Sequence, residues 1–210
     1  MKKTSRTLLL IALAAALTLS APSYARQESY WQAKPYTEWT AKEVDKLLSN
    51  SPWAQTTTNI EVALRSDDNN SNTWTLRLRS ALPVRQALLR YRQLQEKYEQ
   101  MSDAKKKAFD EKNKPLVDCP ACADNYVVAL APPPGGFAST IQTLNRVPQD
   151  SLKLHIHLSN ERSDSRGLVH VAIPKLVGQE IVFFFSRYND KGEPLITAAS
   201  KKVIFTIDSE

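Results

Sequence analysis

The apolar residues in the middle of this chain change their spacing and then change it back, and few folds accommodate that. In the stretch 59–65, Ile60, Val62 and Leu64 alternate with Glu61, Ala63 and Arg65, the period-two pattern of a half-buried strand. After Ser66-Asp67-Asp68-Asn69-Asn70-Ser71-Asn72 the alternation resumes, with Trp74, Leu76 and Leu78 on one side and Thr75, Arg77 and Arg79 on the other. Two such runs across a turn-rich loop predict a β-hairpin. Then Val84, Ala87, Leu88, Tyr91, Leu94, Tyr98 and Met101 recur at three and four residues, which is one face of a long amphipathic helix. Ser102 reads as a fresh N-cap, so a second, short helix through Ala108 and Phe109 is expected before Pro115. Strand patterns return at 126–130, 152–158, 168–173, 181–187 and 203–207, with a short helix over 137–147.

Upstream, Thr40 with Glu43 three residues later forms a capping-box signature, and Trp39 with Val44 can close a hydrophobic staple. A helix to about Ser49 would bury Val44, Leu47 and Leu48. Ser51-Pro52-Trp53 should stop it, because the residue before a proline is pushed out of helical geometry. Together these elements predict an α+β fold. It should hold one antiparallel sheet or a small sandwich, an N-terminal helix and a helical insert over about 83–114.

The first 25 residues read differently. Lys2, Lys3 and Arg6 precede an apolar run from Leu8 to Leu19, and Ser23-Tyr24-Ala25 places small residues at −3 and −1 of a cut. These are the parts of a secretory signal peptide. The run is too short to cross a bilayer, which needs ~20 apolar residues, and no later segment is long and apolar enough to span. Cleavage after Ala25 would leave 185 residues: a lead-in and capped helix over 26–58, then a single α+β domain over 59–210. The formal charge of +6 falls to +3 once the three signal-peptide cations are removed, with 25 basic against 22 acidic residues. That balance, and export, argue against a nucleic-acid partner, and Lys105-Lys106-Lys107 reads as the solvated face of a helix. The expected location is periplasmic or secreted, and the expected partner a protein or an envelope component.

Two groups of residues have types that can carry chemistry. Cys119-Pro120-Ala121-Cys122 contains the only two cysteines. In an oxidising compartment they are expected to form a local disulfide, with a redox-active pair as the sharper alternative. Against the latter, the pair follows a helix and precedes a strand, the reverse of the usual order. Haem attachment fails because Ala123 stands where a histidine is needed. The second group is His155, His157 and His170, the only histidines. If 152–158 and 168–173 pair as a hairpin with their apolar faces together, all three imidazoles share the outer face. A register opposing His157 to His170 would then make a three-histidine zinc site with an open fourth position. Solvent-facing histidines need no metal, and a plain polar face is the simpler account.

Other signatures fail. Asp67 and Asp68 lack the EF-hand spacing and its distal Glu. Asn69-Asn70-Ser71 is a formal glycosylation sequon, and Gly135-Gly136 lacks the Lys-Ser/Thr of a phosphate loop. No Gly-x-Ser-x-Gly or His-Glu-x-x-His occurs, and carboxylates such as Glu61 and Glu180 cannot be paired into a glycosidase site from sequence. No catalytic residue and no cofactor are expected.

The run Lys34-Pro35-Tyr36-Thr37-Glu38-Trp39-Thr40-Ala41-Lys42-Glu43-Val44, with Leu47-Leu48 and Ser51-Pro52-Trp53-Ala54, resembles the opening of a family of small exported bacterial proteins of unknown function. Ser80-Ala81-Leu82-Pro83-Val84-Arg85-Gln86-Ala87-Leu88 and Phe183-Phe184-Phe185-Ser186-Arg187 are similar too. The resemblance spans most of the mature chain and implies no activity, cofactor or catalytic residue. The sequence thus leads to an exported, non-enzymatic binding or envelope-associated module, with a metal or thiol-redox protein as the alternative.

Overall fold

The computed structural model describes residues 29–57, 73–131, 138–175 and 179–208. The residues read as a signal peptide, the run 59–65, the Asp/Asn stretch with its sequon and the stretch Pro132–Gly136 lie outside the described residues. The fold is α+β with an antiparallel sheet. In chain order it runs α1 (Tyr30–Ala33), α2 (Ala41–Ser49), β1 (Asn50–Ser51), β2 (Ala54–Thr57), β3 (Trp74–Leu78), α3 (Leu82–Gln95), α4 (Asp103–Asp118), β4 (Asn125–Ala131), α5 (Ala138–Arg146), α6 (Gln149–His155), β5 (Ile156–Asn160), β6 (Ser165–Ala172), β7 (Ile181–Ser186) and β8 (Val203–Ile207). All eight strands join one sheet in the order β1-β2-β3-β4-β7-β6-β5-β8, every pairing antiparallel.

The sheet curls into a half-barrel. Phe205 of β8 meets Phe183 and Phe185 of β7, with ring centroids 5.1 and 6.1 Å apart, although β5 and β6 lie between those strands. Such contact across three positions requires a concave inner face, the consequence of strand twist in a long sheet. Trp74, Tyr126, Val128, Leu130, Ile156, Leu158, Ile181, Phe183 and Phe185 fill that face, and Leu144 of α5 and Leu152 of α6 join them. β4 is buried on both faces along Tyr126–Ala131, which explains why it reads as a continuous apolar run rather than an alternating one.

A second core lies in the helical layer, where Trp39, Val44, Leu47, Leu48, Val84 and Ala87 pack together. The capping box is formed: Glu43 N–H donates to Thr40 Oγ1 at 3.3 Å, and Thr40 N–H donates to the Glu43 carboxylate at 2.8 Å. On the outer face of β3, Arg77 Nε donates to Leu48 O at the end of α2 (2.7 Å) and its guanidinium pairs with Glu180. One side chain thereby ties the helical layer to two strands.

The helices depart from the expected boundaries in two places. α3 ends at Gln95 because Lys97 takes a left-handed conformation (φ 53°), and a 3-10 turn over Tyr98–Gln100 follows. Its buried side includes Leu89 and Gln93, while Tyr91 is 50% exposed. α4 runs through Pro115 to Asp118. The carbonyl that loses its partner there belongs to Glu111, on an exposed turn, where water can replace the missing bond. Asn113 bridges the two helices, donating to Phe109 O and accepting from Arg92 at 2.6 Å.

One element changes type. The run 152–158, expected as a strand, is helical through His155 and extended only from Ile156. Pro148 stands at the N-cap with φ −56°, and Asp150 in the first turn complements the helix N-terminus and pairs with Lys153 at 2.9 Å, which favours a helix start. Leu152 is buried and Leu154 is 72% exposed, so the two do not share the one face that a strand over 152–158 would give them. Among the described residues no helix is long and apolar enough to cross a membrane.

Candidate functional site

The curl leaves the concave face incompletely filled between β3 and β8. A cavity of about 660 Å³ opens there, within the ~300–1,000 Å³ range of small-molecule sites. Its walls come from both ends of the sheet: Leu76 and Leu78 of β3, Val128 of β4, Leu158 of β5, and Val203 and Phe205 of β8. Leu76, Leu78, Val203 and Phe205 point inward yet stay only half-buried. Apolar side chains that face a core and remain partly wet mark space that the described residues leave open.

Two loops frame the mouth. Ser51 Oγ donates to Leu47 O at 2.7 Å and accepts from Trp53 N–H at 3.2 Å, so the end of α2 turns directly into the β1–β2 hairpin. Trp53 O then accepts from Leu78 N–H at 2.8 Å, and the Trp53 ring, edge-on to Trp31 at 5.6 Å, lines the cavity with Pro52 and Gln55. On the other side, Ile196 is fixed by its N–H donating to Tyr126 Oη at 2.9 Å, and a turn closes as Ser200 Oγ accepts from Thr197 N–H.

The next two residues supply the charge. Lys201 and Lys202 line the mouth, and their backbone N–H groups donate to the Glu161 carboxylate at 3.2 and 3.3 Å. Backbone donors, its own N–H first, hold the Glu161 carboxyl below the usual carboxylate range. Glu161 therefore grips the backbone, not the ammonium groups. Among the described residues neither ammonium has a carboxylate partner.

The histidines fall elsewhere and apart. His155 ends α6, its carbonyl accepting from Asp208 N–H at 2.8 Å. His157 on β5 opposes Gly167, not His170; its Nε2 lies 2.9 Å from Leu154 O and 4.0 Å from the Asp208 carboxylate. His170 opposes Phe184 of β7, the rings 5.7 Å apart. The expected register is displaced because β6 pairs with β5 only over Ser165–Gly167 and then bulges at Val169 as it turns to β7. The bulge exposes Val169 and buries Leu168 and Val171, as an extra residue in one strand requires. Among the described residues no three His, Cys, Asp or Glu side chains could together hold a metal ion. The register that a site on His155, His157 and His170 presupposed, with His157 opposite His170, is therefore not the one formed.

The cysteines do pair. Cys119 and Cys122 form a disulfide with Cα atoms 5.3 Å apart. Cys119 caps α4 in a left-handed conformation (φ 45°), which disfavours a residue with a Cβ. The surroundings hold it: Arg187 donates twice to Cys122 O, at 3.2 and 2.8 Å, and stacks 4.8 Å above the Tyr126 ring. The Arg85 guanidinium bonds Val117 O at the helix end, and burial, then the neighbouring Arg187 cation, pushes its pKa down.

Sequence reasoning missed the cavity. It placed Leu76 and Leu78 in the core and gave Lys201-Lys202 no role. The available clue was a lysine pair directly ahead of the alternating Val203, Phe205 and Ile207. Comparison with protein-family models, curated proteins and solved structures gave no match.

Proposed function

We propose that this chain is an exported, non-enzymatic binding module that holds an apolar ligand in the concave face of its half-barrel. The cavity of about 660 Å³ between β3 and β8 carries this reading. It joins an apolar wall to a charged rim, the composition of a small-molecule pocket. Export rests on the N-terminal pattern of cations, apolar run and Ser23-Tyr24-Ala25, and the kinship with small exported bacterial proteins belongs to the same proposal. The disulfide then serves as a structural clasp between α4 and β4. It sits at the C-terminal end of a helix, where the dipole opposes a thiolate.

The test uses the mature chain, residues 26–210, and the neutral fluorescent probe N-phenyl-1-naphthylamine. Saturable binding at one probe per chain is expected. Filling the wet part of the wall with Leu76→Phe and Val203→Phe should weaken it about tenfold, the value of a few lost methylene contacts. Both positions are half-buried, so the variants should keep the wild-type melting temperature within a few degrees. Absence of saturable binding, or equal binding by the filled variant, overturns the cavity as the site. Export is tested separately, by the N-terminal sequence of the protein recovered from a periplasmic extract, which should begin at Arg26.

A further inference from the structure

The mouth of the cavity is more specific than its wall. Lys201 and Lys202 are consecutive, and consecutive residues on extended backbone send side chains to opposite sides. Yet both line the same opening. They precede β8, and the bonds from their N–H groups to Glu161 fix the segment against the β5–β6 turn. Glu161 is thereby engaged with backbone donors. Asn160 holds that turn in place, accepting from Arg162 and Asp164 N–H at 2.9 and 3.1 Å and donating to Leu195 O at 3.2 Å. The result is a rim tied by backbone hydrogen bonds that carries two cations without a carboxylate partner among the described residues, above a pocket floored by Leu76, Leu78 and Phe205.

We propose that the ligand is a single-chain anionic amphiphile, a fatty acid in chemical class, with its hydrocarbon tail along β3 and β8 and its carboxylate between Lys201 and Lys202. This deepens the binding reading above and rests on it. A neutral apolar ligand would make no use of the two lysines. A flat membrane surface would not reach the floor of a pocket framed by Trp53 on one side and Lys201-Lys202 on the other. An acyl chain with one charged end matches both features, and the lysine stems can themselves cover the first methylenes.

The experiment displaces N-phenyl-1-naphthylamine from the mature chain with lauric acid, lauryl alcohol and lauryltrimethylammonium, each below its micelle concentration. Two rim cations should make the carboxylate bind about fivefold to tenfold more tightly than the alcohol, and the quaternary amine more weakly than either. In the double variant Lys201→Met, Lys202→Met, which removes both charges and keeps stems of similar length, the carboxylate should fall to the level of the alcohol while the alcohol is unchanged. At about 0.5 M salt the wild-type preference should shrink, because screening then acts within a few Å. Equal displacement by all three overturns the anionic head group and leaves the apolar cavity standing. Probe binding that none of them displaces overturns the amphiphile. Failure of the probe itself to bind overturns the underlying reading instead.

Discussion

Glu43 offers a sharp test of how the helical layer is held. Its carboxylate accepts from Thr40 N–H and Thr40 Oγ1, both at 2.8 Å, and from Lys34 Nζ at 2.9 Å. The Thr40 N–H bond first, then Lys34, draws its pKa from the ordinary 4.5 down to about 2. A depression of that size corresponds to a ceiling of about 3 kcal/mol between the two protonation states. The side chain remains 25% exposed, so solvent screening reduces the stabilisation to about 1–2 kcal/mol. Glu43→Gln keeps an oxygen for the Thr40 N–H and removes the charge. At pH 7 it should lower the unfolding free energy by about 1–2 kcal/mol, or the melting temperature by about 3–6 °C. Because the folded-state pKa is depressed, the stabilisation is complete above about pH 4.5 and is lost as pH falls toward 2. By pH 2.5 about three quarters of it should be gone. Urea denaturation of wild type and variant at several pH values measures the difference directly, and other carboxylates cancel between the two proteins. A difference that stays constant from pH 7 to pH 2.5 would refute the electrostatic account and leave only a packing effect.

Two further outcomes follow from the same structure. Removing the Cys119–Cys122 bridge with a Cys119→Ser, Cys122→Ser pair should cost about 2 kcal/mol, the loop-entropy value for so short a closure; a loss beyond about 4 kcal/mol in denaturation would mean that it secures far more than the α4–β4 turn. Chelation by EDTA should leave the melting temperature unchanged, and calorimetry with Zn²⁺ should give the same weak response for wild type and His157→Ala, since His157 and His170 face different partner strands. Tight zinc binding abolished by His157→Ala would reverse that expectation.

Local chemistry was legible wherever a few neighbouring residues suffice. Thr40 and Glu43 need only each other to make their reciprocal bonds. The two cysteines had one possible intramolecular partner each. The alternation in Val203–Ile207 marked a strand because nothing nearby competes with it. The run 152–158 reads as a strand because residues two apart, such as Leu152 and Leu154, share one strand face. Pro148 and the Asp150–Lys153 pair decide for the helix, and the packing of Leu152 on the sheet secures it.

What the sequence by itself determined is therefore the class: α+β, antiparallel strands, helices where the apolar spacing becomes three and four, and a disulfide where the only cysteines lie. The tertiary structure alone decided the site. A bulge at Val169 sets which strands the histidines face, and bulges arise from competition between two neighbouring strands rather than from one strand's residues. The cavity exists because twist accumulated over eight strands brings β8 back toward β3. That places Lys201 and Lys202 at the same mouth as Trp53 and Leu76, residues more than a hundred positions away whose proximity no local pattern encodes.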